Sequence, residues 1–431
     1  MNKETETHTT NDNITQEEPK PQPQPLLFGI RNTKIQNGSM ELPLKRIMMQ
    51  PAGHHDGCTA WRIDWVREFL NYNKLAVADM STIPPVVGVP RGESKVAVNP
   101  IFTSIDAMLV QRPVMDQHPA MFSQYITARD RIRKSNNRDF RIIIDIDDVL
   151  HYDHIAKFNV GRKGYINNTR FNIFKEVVNM SDELHVCSPT MKNFYEDHLG
   201  YKNITYRPNL MPRHMFDTYD RARAVRNYVK HRKKPRILWA GSWSHFDISS
   251  IHTSDDFTRI RDVIMKTVDD FQWIFYGAHP VWAKDLISEG KIEYINWGSI
   301  ANFPRNVKDI EANIIIAPLD DNVFNRCKSN IKLTESGAFG IAGVFQDMEP
   351  YHEAPHKFNT GDELIDQIKY ILTDTDTYIK VVEQMRGISE KFFIEENKNL
   401  LYASLFCDYG SVEREIISPR LYDLNKINLL K

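Results

Sequence analysis

The stretch from Leu319 to Tyr351, LDDNVFNRCKSNIKLTESGAFGIAGVFQDMEPY, gathers the residue types that hold a diphosphate. It reads as a strand end, a polar loop, a helix that begins near Ser329, and a further strand. The open amides and positive dipole end of such a helix form an anion site. Arg326, Lys328 and Lys332 place cations around the same point. Backbone donors fix phosphate geometry while cations neutralise its charge. Glu335 follows two turns in, within reach of a ribose beside the phosphates. A solvated helix start with an ordinary basic cluster is the plain alternative. The run Ser336–Gly340 counts against it, because small residues let a helix approach ligand and sheet closely.

Two further clusters could do chemistry. Asp145, Asp147 and Asp148 end the apolar run IIIDIDD, and D-x-D can bind a divalent cation. Cations already serve the phosphates here, so a divalent ion is compatible with the pattern but not essential. An interdomain cleft role or helix capping fits the acidic turn better, with Asp148 or His151 orienting an acceptor hydroxyl. Pro51–Arg62 (PAGHHDGCTAWR) offers His54, His55 and Asp56 as base or electrostatic partner; an idle surface loop is the alternative.

Two basic segments bear on the acceptor. Arg221–Arg236 (RARAVRNYVKHRKKPR) holds nine Lys, Arg and His residues and no acid, and Arg129–Arg141 is basic but interrupted. One reading is a solvated helix between domains. The other is a groove tracking double-stranded DNA through Arg221, Arg223, Arg226, Lys230, Arg232 and Lys233.

These residues need elements to position them. Arg46–Gln50, Leu75–Asp79, Ala107–Gln111, Arg141–Asp145, Glu183–Cys187 and Ile204–Pro208 read as strands, with helices at Ala60–Asn71, Asn168–Met180 and after Ser188–Pro189. The alternation restarts at Arg236–Ala240 and continues through Trp273–Tyr276, Ile292–Ile295, Asn313–Ala317 and Ala342–Phe345. Strands alternating with helices imply parallel sheets covered on both faces, so the expected class is α/β with two Rossmann-like domains facing a cleft. The expected division is a disordered tail at 1–25, an acceptor domain at 26–218, a basic linker at 219–235, a nucleotide-sugar domain at 236–377, and C-terminal helices at 378–431 packing across the junction.

Composition agrees. A chain of 431 residues, 41% hydrophobic and 26% charged, can bury two cores. A formal net charge of -1 argues against a chain coated by nucleic acid, though not against a local basic groove. Four scattered cysteines, Cys58, Cys187, Cys327 and Cys407, suggest neither a zinc knuckle nor a disulfide framework. There is no apolar run of membrane-spanning length and the first residues are polar, so the expectation is a cytoplasmic protein with no membrane partner. The sequence sets no oligomeric state.

The segment K-S-x-I-K-x-x-E-x-G-A-x-G, followed by a short apolar strand and Pro-Tyr, resembles the donor site of family-4-like GT-B glycosyltransferases. It is similar to variants from tailed phages and bacterial surface-polysaccharide clusters. IIIDIDDVL (Ile142–Leu150), ELHVCSPTMKNFY (Glu183–Tyr195) and RILWAGSWS (Arg236–Ser244) match the same pattern in order, over roughly residues 45–360. The resemblance implies a nucleotide-sugar donor, best matched by a UDP-sugar, with no required cofactor. It implies Gly241 and Ser242 near the donor phosphates, Lys328, Ser329 and Lys332 on the diphosphate, and Glu335 on the ribose. Where the family has a first Glu, eight positions before the second, this chain has Cys327, so sugar recognition falls to Asp320, Asp321 or Asn325. The implied activity is sugar transfer to an acceptor hydroxyl, with 5-hydroxymethylcytosine in phage DNA as first choice and the host cytoplasm as its place. A surface polysaccharide or protein acceptor, and a non-catalytic GT-B scaffold, are the alternatives.

Overall fold

The computed structural model describes residues 44–53, 57–80, 97–248 and 254–407, with short strand pieces at 35–36, 39–40 and 86–87. The tail at 1–25, the loop residues His54, His55 and Asp56, and everything after 407 lie outside the described residues.

Six parallel strands form the N-terminal sheet: β1 (Lys45–Gln50), β2 (Ala76–Met80), β3 (Ala107–Gln111), β4 (Arg141–Ile146), β5 (Glu183–Val186) and β6 (Ile204–Tyr206). Their order is β6-β5-β4-β3-β1-β2. Ile142, Ile143 and Ile144 are wholly buried, as expected where helices cover both faces. The helices are α1 (Trp65–Tyr72), α2 (His118–Asn136), α3 (Thr169–Asn179) and α4 (Pro189–Leu199). Ser188 caps α4, its Oγ accepting from the Met191 amide at 3.1 Å, with Pro189 opening the first turn. A π-turn at Ala60–Asp64 precedes α1 and turns Arg62 fully inward. Helix α2 was not anticipated. It absorbs part of the basic segment, where Arg129 and Arg133 pair with Asp182 and Asp139.

A second parallel sheet contains β7 (Arg236–Gly241), β8 (Gln272–Gly277), β9 (Ile292–Asn296), β10 (Ile314–Ala317), β11 (Ala342–Gln346) and β12 (Lys357–Phe358), ordered β9-β8-β7-β10-β11-β12. The basic linker is largely helical, as α5 (Arg221–Lys230). Later come α6 (Phe303–Ile310), α7 (Ile331–Phe339), α8 (Gly361–Ile371), α9 (Thr375–Ser389) and α10 (Lys398–Phe406).

The small residues of α7 serve packing rather than a ligand. A Cβ on Gly337 would lie 2.1 Å from the Met385 carbonyl of α9, so the two helices touch backbone to backbone. After α9 the chain returns to the first half. Phe392 and Phe393 join Trp61, Trp65 and Phe216 in one buried cluster, and Leu401 and Leu405 of α10 pack with Ile47 and Leu70.

Candidate donor and acceptor site

Open parallel sheets bind ligands beyond the carboxyl ends of their strands. The carboxyl end of β7 delivers Gly241 and Ser242, that of β10 leads into Leu319–Ser329, and that of β4 delivers Asp147 and Asp148. At Gly241 a Cβ would meet the Trp239 indole at 2.5 Å, so only glycine fits this turn. The Ser242 hydroxyl lies 2.7 Å from that of Ser244.

The donor side centres on the start of α7, two residues later than the sequence placed it. Lys332 Nζ donates to Glu335 Oε2 at 2.8 Å, and Glu335 is almost wholly buried. Burial raises the Glu335 carboxyl above its ordinary range, with Lys332 opposing. Lys328 Nζ lies 3.4 Å from His245 Nδ1 and 4.0 Å from Asp256 Oδ2. Burial lowers the Lys328 pKa, while Asp256 and Asp148 pull it back up.

His245 and Asp256, which the sequence reading missed, form a 2.6 Å contact beside Lys328. Asp256 is itself buried and accepts from the Asp320 amide and from Asn325 Nδ2 at 2.8 and 2.6 Å. The Ser-x-x-His-x-x-x spacing after the β7 glycine was the available signal. A second missed feature is the aromatic group Tyr276, Trp297 and Phe303. Trp297 is exposed and stacks on Phe303, whose ring centroid is 5.5 Å from Lys332 Nζ. An exposed indole just past a strand end is the trace it leaves in the sequence.

Other expected donor residues have partners within the protein. Arg326 is held by Asp321 at 2.7 Å and by Glu349, so its guanidinium is committed to carboxylates. Ser329 Oγ accepts from Asn209 Nδ2 of the N-terminal half at 3.0 Å. Asn325 is fully buried in the Asp256 network, which turns its amide inward. Cys327 lies in the hydrophobic core of the N-terminal half with Phe324, and burial pushes its thiol up to about 12.

On the facing side, Arg112 Nη2 lies 2.5 Å from Asp147 Oδ1, 2.8 Å from Asp148 Oδ2 and 3.7 Å from Cys58 Sγ. The ligand atoms of Cys58, Asp147 and Asp148 lie within 4.8 Å of one another, a spacing that could hold a metal ion. The Arg112 guanidinium already supplies positive charge to that group. It gets there because Arg112 adopts a left-handed turn, φ +49°, directly after β3. Asp148 sits in a crowded cleft yet keeps 34% of its side chain accessible. Burial pushes its carboxyl up to about 6, with Arg112 opposing and Asp147 adding to the rise.

Asp145 is placed differently from its neighbours. It is fully buried in a bidentate pair with Arg62, at 2.8 and 2.6 Å, and accepts from Arg207 at 2.6 Å. Burial alone would raise its carboxyl, but Arg207 and Arg62 hold it well below the usual range. It therefore braces the first half and does not face the cleft. His151 turns toward Phe171, His154 and His198, with ring centroids 4.8, 5.0 and 5.6 Å away.

The basic linker runs into the amino end of β7, opposite the carboxyl end that carries Gly241. Arg221 pairs with Glu383, Arg226 with Asp220, and Lys230 with Glu311 just before β10. Arg223 donates to the Thr218 and Phe339 carbonyls, closing the carboxyl end of α7. Arg232 and Lys233 precede the amino end of β7, a strand length of ~20 Å from Gly241 at ~3.3 Å per residue. Four of the six residues expected to line a DNA-tracking groove, Arg221, Arg223, Arg226 and Lys230, thus meet partners within the protein.

No helix among the described residues is long and apolar enough to cross a membrane. No protein-family model and no curated protein matches the sequence. Solved structures do match. Anabaena HepE in complex with UDP-glucose aligns with a TM-score of 0.54 and 10% identity, over 84% of this chain and 99% of that one. An alpha-glucosyltransferase in complex with UDP and a 13-mer DNA containing an HMU base aligns at 0.50 and 11%, over 83% and 100%. An E. coli structure described as trehalose-6-phosphate bound with UDP-2-fluoro glucose aligns at 0.50 and 10%, over 84% and 99%. Two six-stranded parallel sheets, with candidate donor residues beyond the strand ends of the second, and alignment over nearly the whole length of these proteins show that this chain has the GT-B fold.

Proposed function

We propose that the protein is a glycosyltransferase that moves a sugar from a nucleoside-diphosphate sugar, a UDP-sugar by preference, to the hydroxyl of a hydroxymethylated base in DNA. The observation that carries the reading is the donor segment at the start of α7, where Lys332 holds the buried Glu335 at 2.8 Å and the Cys327 carbonyl beside Lys328 is tied at 2.7 Å to Ser188 of the half that carries Asp148. In this reading the lysines serve the departing diphosphate and Asp148, from the other half, serves the arriving hydroxyl. UDP as leaving group is supported by the UDP, UDP-glucose and UDP-2-fluoro glucose complexes among the structural neighbours, and a DNA acceptor by the neighbour holding DNA.

In this reading the diphosphate lies against the first turn of α7, between Lys328 and Lys332, and Glu335 receives the ribose. The bond from anomeric carbon to diphosphate oxygen breaks, and the two lysines stabilise the charge that develops on the leaving group. The acceptor oxygen bonds to the anomeric carbon and its proton passes to Asp148. The target base must leave the duplex to reach this depth. Incubation with a panel of nucleotide sugars and hydroxymethylated DNA, read by the mass of the digested nucleosides, tests it. The expected result is a hexose or pentose adduct with one donor; no adduct with any donor overturns it.

A further inference from the structure

At the mouth of the cleft the segment 152–170 forms a compact basic loop that none of the donor chemistry uses. Its shape is fixed by its own side chains. Asn168 Oδ1 accepts from the Tyr152 amide at 2.6 Å, and Asn159 Oδ1 accepts from the Gly161 amide at 2.8 Å. Asn167 and Asn168 both take left-handed backbone, at φ +59° and +56°, a conformation asparagine tolerates better than most residues. Arg162 lies over the Tyr152 ring at 3.9 Å and donates to the Tyr152 carbonyl. Its direction is therefore set before any ligand arrives.

The loop lines a pocket of about 280 Å³ with Tyr152, Lys157, Phe158, Arg162, Lys163 and Ile166, closed from the other half by Asp247 and Ile248. Lys157 and Lys163 are exposed, and among the described residues neither pairs with a carboxylate. That contrasts with the basic linker, where Arg221, Arg226 and Lys230 are all paired. Exposed apolar groups adjoin the cations: Ile166 and Ile248 are about half exposed, and Trp243 is 42% exposed on the turn against which this loop packs.

Unpaired cations on a rigid loop, with apolar and aromatic faces between them and a carboxylate behind, suit a polyanion whose bases can be turned inward. A neutral polysaccharide would leave the cations without partners. We infer that this loop is the DNA-holding surface, with Lys157, Arg162 and Lys163 on backbone phosphates and Trp243 and Ile248 against the face of a base turned out of the duplex. The inference rests on the transferase reading and moves the acceptor contact from the linker to the cleft mouth.

Fluorescence anisotropy with a short labelled duplex, between about 50 and 200 mM salt, tests it on the full chain. Lys157→Gln with Lys163→Gln is expected to flatten the slope of log K against log salt by roughly 1.8, two phosphate contacts at ~0.9 each. Arg232→Gln with Lys233→Gln is expected to leave the slope as in wild type. UDP binding by calorimetry is expected to be the same in all three, which shows that the variants fold and keeps the donor reading separate. Equal slopes for the two double variants overturn the inference. So does a wild type that binds UDP but no duplex, the outcome a polysaccharide acceptor would give. Loss of UDP binding in wild type would instead strike the transferase reading itself.

Discussion

The Ser188 hydroxyl donates to the Cys327 carbonyl at 2.7 Å, tying the cap of α4 to the donor segment of the other half. The side chain at 327 is consequently packed in the N-terminal core, where the resembling family carries a glutamate. Cys327→Glu would bury a carboxylate among Phe324, Met191 and Leu150, at a cost of several kcal/mol unless the carboxyl stays protonated. Denaturant unfolding is expected to show marked destabilisation, with Cys327→Ser closer to wild type. Unchanged stability in Cys327→Glu would mean that this position opens to the cleft.

The Asp145 pair with Arg62 and Arg207 is a folding feature rather than a catalytic one. Asp145→Asn leaves two buried guanidinium groups short of a counter-charge and is expected to cost about 3–5 kcal/mol. The pH dependence has a definite sign. Asp145 is held below its unfolded value of ~3.9, so its stabilisation is complete above that pH and is lost as pH falls below it toward the folded value. Wild-type urea midpoints should drop more steeply below about pH 4 than those of Asp145→Asn. Matching curves would remove the pair from this role.

Asp148 accepts a proton only when ionised. With its carboxyl raised to about 6, transfer is expected to hold above that pH and to fall about tenfold per unit below it. Asp148→Asn should lower kcat by about 10²–10⁴ and leave UDP affinity nearly unchanged. An acid limb that persists in Asp148→Asn would assign the titration to another group.

Much of the fold was legible in the sequence. Runs such as Ile142–Ile144 and Ile314–Ile316 are apolar and β-branched without interruption, which is what a strand buried on both faces requires. Helix α2 was hidden because its last turns, from Arg129 to Lys134, are charged at every position but Ile132, and its buried face is only Phe122, Tyr125, Ala128, Arg129 and Ile132. The lysines of the donor segment could be read from their spacing at a helix start. Arg112 could not, since one left-handed residue after β3 decides where it points. The small residues at 336–340 were read as allowing close approach to ligand and sheet; at Gly337 the close approach is to Met385 of α9, nearly fifty residues away in sequence. The linker charges were legible by sign only, since the carboxylates of Glu383 and Glu311 that meet Arg221 and Lys230 come from distant segments.

The account depends most on a nucleoside diphosphate seated at the start of α7. Calorimetric titration of the full chain with UDP, wild type beside Lys332→Ala, measures this without knowledge of sugar or acceptor. Saturable binding by wild type is expected, weakened at least about tenfold in the variant, a loss of ~1.4 kcal/mol or more. No heat with wild type, or equal affinity in both proteins, would contradict it.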